Sequence, residues 1–292
     1  MIQSSPRAGV LRGIVFLVAS VTFFGLVDGL SKLLVEHQSF GQIVLARYIV
    51  PLAAVLAING PGKWKALYAT RHPLFQIVRG LTPVAVGSLM VLAVKYMPLA
   101  EATTILFAAP FLVVAVSAWM LGEHPGFRAW IAVALGFLGV LIVARPGLSQ
   151  FSAYAVFPAL AAIFYALLQL LSRRLATLGE NTNATLVWTL LVGTIVTLPL
   201  AAMDWRPLDT TGWLLSLSLG TTFGLGQYFL TKAFALAPAN TLAPFTYFQI
   251  LAAVLFGMAV FGDFPDIWTW LGIAIISASG AYVFSRAGEK SR

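Results

Sequence analysis

The sequence predicts an all-α membrane protein with ten transmembrane helices arranged as two inverted five-helix repeats. Three observations predict it. Of 292 residues, 60% are hydrophobic and only 10% are charged, against roughly 25% charged in a soluble domain. Apolar runs of about 20 residues, each enough to cross a hydrocarbon core about 30 Å thick, follow one another along the chain. The second half also echoes the first at a nearly fixed offset. This composition excludes a soluble enzyme, a disordered chain and, with no cysteine, a disulfide-stapled module.

The ten apolar segments run 13–34, 41–58, 74–94, 99–121, 127–144, 153–172, 183–203, 212–234, 238–261 and 267–284. They are too long for strands and lack the alternation of a membrane barrel. In lipid every backbone amide needs an internal partner, so they are expected to be helices. Glycine and proline punctuate the loops. Asn59-Gly60-Pro61-Gly62 ends one span, Gly122 with Pro125 another, and Gly262 with Pro265 its counterpart. Arg7 and Arg12 precede an apolar stretch, as in a secretory signal. Val18-Ala19-Ser20 is a poor cleavage site and the stretch continues past it, so a first span is expected instead.

The net charge of +8 would point to nucleic acid in a soluble chain. Here the basic residues fall between apolar runs, and no nucleic-acid partner is expected. With ten spans both termini share a side. That side holds Arg7, Arg12, Lys63, Lys65, Arg71, Arg79, Arg128, Arg173, Arg174, Lys232, Arg286, Lys290 and Arg292, thirteen in all. The other side holds four: Lys32, Lys95, Arg145 and Arg206. The bias places both termini in the cytoplasm.

At an offset of 140, Gly80, Ala93, Pro98, Gly122, Glu123, Pro125 and Trp130 meet Gly220, Ala233, Pro238, Gly262, Asp263, Pro265 and Trp270. At an offset of 141, Phe23, Ser31 and Lys32 meet Phe164, Ser172 and Arg173. The simplest division is 1–147 and 148–292, five spans each. An odd number of spans makes the second copy enter from the opposite side. A pseudo-two-fold axis then lies in the membrane plane, an architecture that transporters use with substrate held between the halves. Duplication that merely enlarged a bundle is the plainer alternative.

With these residues in view, the chain resembles the drug/metabolite transporter superfamily, and within it the EamA-like ten-helix exporters. The resemblance rests on the duplicated unit. It rests also on Pro98 to Pro146 with Pro110, Leu121-Gly122-Glu123, Trp130, Gly136 and Gly139, and on a second copy from Pro238 to Ser285. Arg47-Tyr48 looks like the family's basic-aromatic pair. The resemblance implies export of small metabolites, often amino acids, across a bacterial inner membrane. Asp263 stands where the family usually carries Glu.

A charge at bilayer depth costs about 2.5–3.5 kcal/mol on insertion scales, so each asks for a reason. Asp28 and Arg47 lie at matching depth, about 9 Å below one surface, which permits a salt bridge. The pair either lines the pathway or fixes helix register. Tyr165, Tyr247 and Gln249 lie near the midplane, while Gln169, Gln227 and Tyr228 lie deeper toward the cytoplasm. Aromatic walls with a few placed polar groups suit an amphipathic solute. Interhelical hydrogen bonding, about 0.6 kcal/mol per contact, is the alternative for each. Pro51, Pro83 and Pro110 fall about 14–17 Å into their spans, with Pro244 a weaker counterpart. They read as bends serving as hinges, or as tolerated membrane proline. Glu101 suits a helix N-terminus. Glu123 and Asp263 read as loop-fixing groups. Trp64, Trp205 and Trp268 read as interfacial anchors.

His37, His72 and His124 show no zinc spacing, and no nucleotide loop is present, so neither a metal nor any other cofactor is expected. The expected function is a secondary, ATP-independent transporter exporting amino acids and related amphipathic metabolites by alternating access. The expected partners are the small-molecule substrate and the lipid bilayer; oligomeric state is left open. Uptake of a nucleoside-like metabolite and a non-transporting membrane scaffold are the alternatives. An embedded enzyme lacks an acid/base set at one depth, so catalysis is not expected.

Overall fold

The structure is a computed structural model, and it describes residues 6–35, 38–96, 102, 105–144, 153–256, 258–259 and 266–286. Helices occupy all ten expected spans: α1 (Pro6–Leu34), α2 (Phe40–Asn59), α3 (Pro73–Tyr96), α4 (Ala109–Leu121), α5 (Phe127–Ala144), α6 (Val156–Thr177), α7 (Thr182–Met203), α8 (Thr210–Leu236), α9 (Phe248–Phe256) and α10 (Ile267–Arg286). The chain is all-helical among the described residues. α1, α2, α3, α6 and α7 are long and apolar enough to cross a membrane by length and composition. α4, α5 and α10 contribute shorter apolar stretches. His37, Pro98, Glu101, Gly262, Asp263 and Pro265 lie outside the described residues.

Local chemistry explains the helix ends. Ser39 and Gln42 form a capping box on α2: Gln42 N–H donates to Ser39 Oγ at 3.4 Å and Ser39 N–H to Gln42 Oε1 at 3.1 Å. Asn181 and Asp209 cap α7 and α8 through Asn183 N–H and Gly212 N–H. Gly60 and Gly122 stop α2 and α4 at φ +66° and +68°, which a side chain would strain. Gly122 N–H returns to Ala118 O and Glu123 N–H to Ser117 O, closing the helix C-terminus.

The packing obeys an exchange rule. Swapping α1 with α6, α2 with α7, α3 with α8, α4 with α9 and α5 with α10 maps the principal helix contacts onto one another. α1 packs on α8 as α3 packs on α6. α1 packs on α9 as α6 packs on α4, and α2 on α8 as α3 on α7. α2 on α7 and α5 on α10 map onto themselves. A two-fold relation between the halves is the simplest cause of this pattern.

Individual residues repeat it. A methyl on Gly80 would lie 2.9 Å from Val192 Cβ, and one on Gly220 would lie 2.5 Å from Val50 Cβ. A methyl on Gly139 would lie 2.8 Å from Gly272 O, and at the equivalent pair Ser279 Oγ donates to Ala132 O at 2.7 Å. Phe107 and Tyr247, equivalent at the offset of 140, face each other with ring centroids 5.8 Å apart. Lipid is as apolar as leucine, so these small-residue notches, which allow close backbone approach, replace the hydrophobic drive of a soluble core.

The prolines separate into two kinds. Pro51 and Pro83 sit inside continuous helices. Pro110 stands in the first turn of α4, just after the turn at Phe107 and Ala108. Pro244 stands in the first turn of a 3-10 segment, Ala243–Tyr247, that separates the one-turn helix Ala239–Leu242 from α9. The expectation of Pro110 as a mid-helix bend is therefore corrected: it restarts a helix. An N-terminal proline has no hydrogen bond to lose there. Both interruptions fall at corresponding places in the two halves, as in transporters whose sites are built at broken helices.

Candidate functional site

Two polar clusters cross the interface between the halves, one toward each end of the bundle. The termini-facing end holds the start of α1, and the far end holds its finish.

The far cluster gathers four of the residues expected from sequence. Gln249 Nε2 donates to Asp28 Oδ2 at 2.9 Å, and Tyr165 Oη donates to Gln249 Oε1 at 3.3 Å. Arg47 Nη2 donates to Ser31 Oγ at 2.7 Å. Side chains from α1, α2, α6 and α9 thus meet about 9–14 Å from the far helix ends. Asp28 and Arg47 interact electrostatically but close no ion pair among the described contacts, which corrects the salt-bridge expectation. Arg47 takes the serine one turn further along α1, while Gln249 takes the carboxylate. Asp28 keeps an accessible face although α2, α6 and α9 contribute groups around it. Arg47 Nε is buried with no partner among the described residues. The cluster therefore offers a carboxylate and a guanidinium at one depth, with hydrogen-bonding capacity left unused among the described residues.

Tyr48 and Tyr247 take a different place. Each ring fills a glycine notch: Tyr48 against Gly193, Tyr247 against Gly136. Tyr48 also meets Phe223 edge-on at 5.0 Å. Both tyrosines are buried, and Tyr247 Oη has no partner among the described residues. Tyr228 stands apart, beneath Lys232 Nζ at 5.5 Å from its ring centroid.

The termini-facing cluster centres on Arg79, which the charge count places among surface cations. The structure buries it completely, and the loop bias becomes twelve to four. Arg79 lies about 9 Å into α3. Its Nε donates to Ser172 Oγ at 2.9 Å, Nη1 to Thr189 Oγ1, and Nη2 to Gln227 Oε1 at 3.4 Å. Counting helical rise puts Ser172, Thr189 and Gln227 about 8, 11 and 14 Å from the same end, so depth alone would have brought the four together. Gln169 lies between the clusters. It shares a face of α6 with Tyr165 and Ser172, spaced four and three residues away. It is fully buried, and neither of its amide atoms finds a partner among the described residues.

The termini-facing end is also tied shut by two carboxylates. Glu123 accepts from Arg173 Nε at 2.7 Å and from Ala239 N–H at 2.8 Å, joining the α4–α5 loop to α6 and to the start of the ninth span. It fixes the loop as the sequence predicts. Glu180, between α6 and α7, accepts from Thr70 Oγ1, Arg71 N–H, His72 N–H and Gln76 Nε2. Partial burial raises its pKa, but these hydrogen bonds outweigh burial and hold the carboxyl below its ordinary range. At the far end Gln38 donates to Gly212 O and Ser216 Oγ, and Gln42 to Arg206 O. A groove of about 70 Å³ opens beside these residues and Trp213, away from the central clusters.

Comparison with known proteins places this architecture. A riboflavin transporter of Vibrio cholerae serotype O1 is 27% identical over 97% of this chain and 96% of its own length. An S-adenosylmethionine uptake transporter of Rickettsia felis is 25% identical over the same shares. A pseudopaline exporter of Pseudomonas aeruginosa is 33% identical over 63% of this chain and 65% of its own. A solved structure, 17% identical, superposes with a TM-score of 0.78 over 98% of this chain and 99% of that one, which shows the fold alone. The EamA-like transporter family matches residues 11–145 and 153–285, one copy in each half. The chain belongs to that family, within the drug/metabolite transporter superfamily, and is a multi-pass membrane transporter of small molecules.

Proposed function

We propose that the chain is an ATP-independent exporter of amino acids and related small amphipathic metabolites across the bacterial inner membrane, with both termini in the cytoplasm. The observation that carries this reading is the far cluster. Asp28 and Arg47 present opposite charges at one depth, Asp28 with an accessible face, framed by Tyr165 and Gln249 from the other half. A zwitterion has the complementary pair of charges. Within the bundle, where the effective dielectric is lower than in bulk water, each match is worth more than at a surface. The halves 1–147 and 148–292 rock about this junction. Pro110 and Pro244 at the helix interruptions, with Pro51 and Pro83 inside helices, supply the bends. Tyr48, Gln169, Gln227, Tyr228 and Tyr247 complete the path.

The test is purified protein in liposomes without ATP. Labelled amino acids should exchange across the membrane, and Asp28→Ala should abolish the exchange. A broad amino-acid panel with no movement would overturn the reading. A second reading, uptake of a larger nucleoside-like metabolite, is favoured by the names of two relatives, a riboflavin transporter and an S-adenosylmethionine uptake transporter. The same liposomes separate the two: movement of riboflavin or S-adenosylmethionine without amino-acid movement selects it.

A further inference from the structure

We propose that Arg79 is a second anion-binding station, which takes a carboxylate group at the termini-facing end of the bundle. Four observations carry this. Arg79 is fully buried in the interior of the bundle. No carboxylate among the described residues reaches it; Ser172, Thr189 and Gln227 meet it with neutral oxygens only. The nearby carboxylate, Glu180, is bound by Thr70, the Arg71 and His72 amides and Gln76. Gln169, one turn along α6 from Ser172, keeps both amide atoms buried and without a partner among the described residues.

A cation held at this depth without a counter-charge is costly, and packing alone would be served as well by an apolar side chain. The arrangement makes sense as a receptor. A guanidinium has five N–H groups in a planar fork, and a carboxylate takes two of them side by side. Ser172, Thr189 and Gln227 hold the fork in place, and Gln169 supplies an amide donor for the anion. Ser172 and Ser31 are equivalent between the halves, and each accepts from a buried arginine. The pathway then carries one arginine–serine station per end. The far station is balanced by Asp28, and the termini-facing station carries a net positive charge. Ligand enters past Glu180, whose hydrogen bonds close that end.

The role of this station in a transport cycle rests on the reading above, but anion binding does not. The test is thermal unfolding of the purified full chain in detergent, titrated with acetate at constant ionic strength, with acetamide as the neutral isostere. Acetate is expected to raise the melting temperature saturably and acetamide is not. Arg79→Gln should weaken the acetate response roughly tenfold or more, about 1.4 kcal/mol, while Lys65→Gln, which removes an exposed cation between α2 and α3, keeps it. If Arg79→Gln does not fold, Arg79→Lys, which keeps the charge and loses the fork, should show a weakened but saturable response. A wild-type protein with no saturable acetate response overturns the proposal without any variant. So does an Arg79→Gln protein that responds as wild type does. Liposomes that move no amino acid, with the acetate response intact, would sink the transport reading and leave the station standing.

Discussion

Arg47 and Arg79 are both buried arginines that donate to a serine on the first helix of a repeat, yet their surroundings differ in kind. Arg47 shares its cluster with Asp28, retains 9% of its surface and leaves Nε without a partner among the described residues. Arg79 has no surface at all and, among the described residues, only neutral partners. The two-fold relation copies the helices and the serines but not the charges. The shared architecture therefore dictates where polar groups can meet, and the unshared residues decide what each end holds.

The largest expected effect comes from making the two ends alike. Asp28→Asn leaves Arg47 without a counter-charge, as Arg79 is. Amino-acid exchange in liposomes should fall by about 100-fold, near 2.7 kcal/mol in barrier height. Unchanged exchange would mean that the carboxylate only positions Gln249.

The glycine notches sharpen the same comparison from the packing side. Gly136→Val and Gly193→Val drive a side chain into Tyr247 and Tyr48 respectively. Each should lower stability by about 1–3 kcal/mol or more in chemical unfolding. Gly62→Ala, in open space, should change nothing measurable. Equal losses at the two notches would show that both halves depend on them alike.

A smaller effect separates the two carboxylates of the termini-facing end. Glu123→Gln keeps the shape and loses the charge that Arg173 meets, at a cost of about 1–2 kcal/mol. Glu180 gives the smallest signal, and it is one of pH. Its carboxyl titrates below the ordinary range in the folded chain. Its contribution is therefore present above the unfolded-state value, about 4.3, and is lost as pH falls through the lower folded value. Partial exposure keeps it below about 1 kcal/mol. Comparing Glu180→Gln with wild type from pH 6 down to pH 3 should show the difference shrinking with acid; a difference that grows would contradict the assigned direction.

Much of this was legible in the sequence. Span boundaries followed from run length, because lipid allows few other structures. The repeat followed from Gly80 with Gly220 and Ser31 with Ser172, and both pairs hold equivalent places in the packing. Matching depth brought Asp28 and Arg47 together, but depth cannot tell an ion pair from two neighbours that prefer other partners. The helix interruptions were hidden because a proline reads the same at a bend and at a restart. Arg79 was missed because a cation six residues into a span resembles a flanking charge; depth matching with Thr189 and Gln227 was the available signal.

The central claim is that two equivalent halves open one end at a time. The absence of native cysteine makes the test direct. Single cysteines at Ser216, which accepts from Gln38 at the far end, and at Thr185, whose Oγ1 accepts from Gln76 Nε2 at 3.1 Å beside Glu180 at the termini-facing end, report on the two ends. With a membrane-impermeant thiol reagent applied to each side of proteoliposomes, conditions that raise labelling at one position should lower it at the other. Labelling that rises at both together would describe a channel, and labelling that never changes would describe a scaffold; either result would contradict the account.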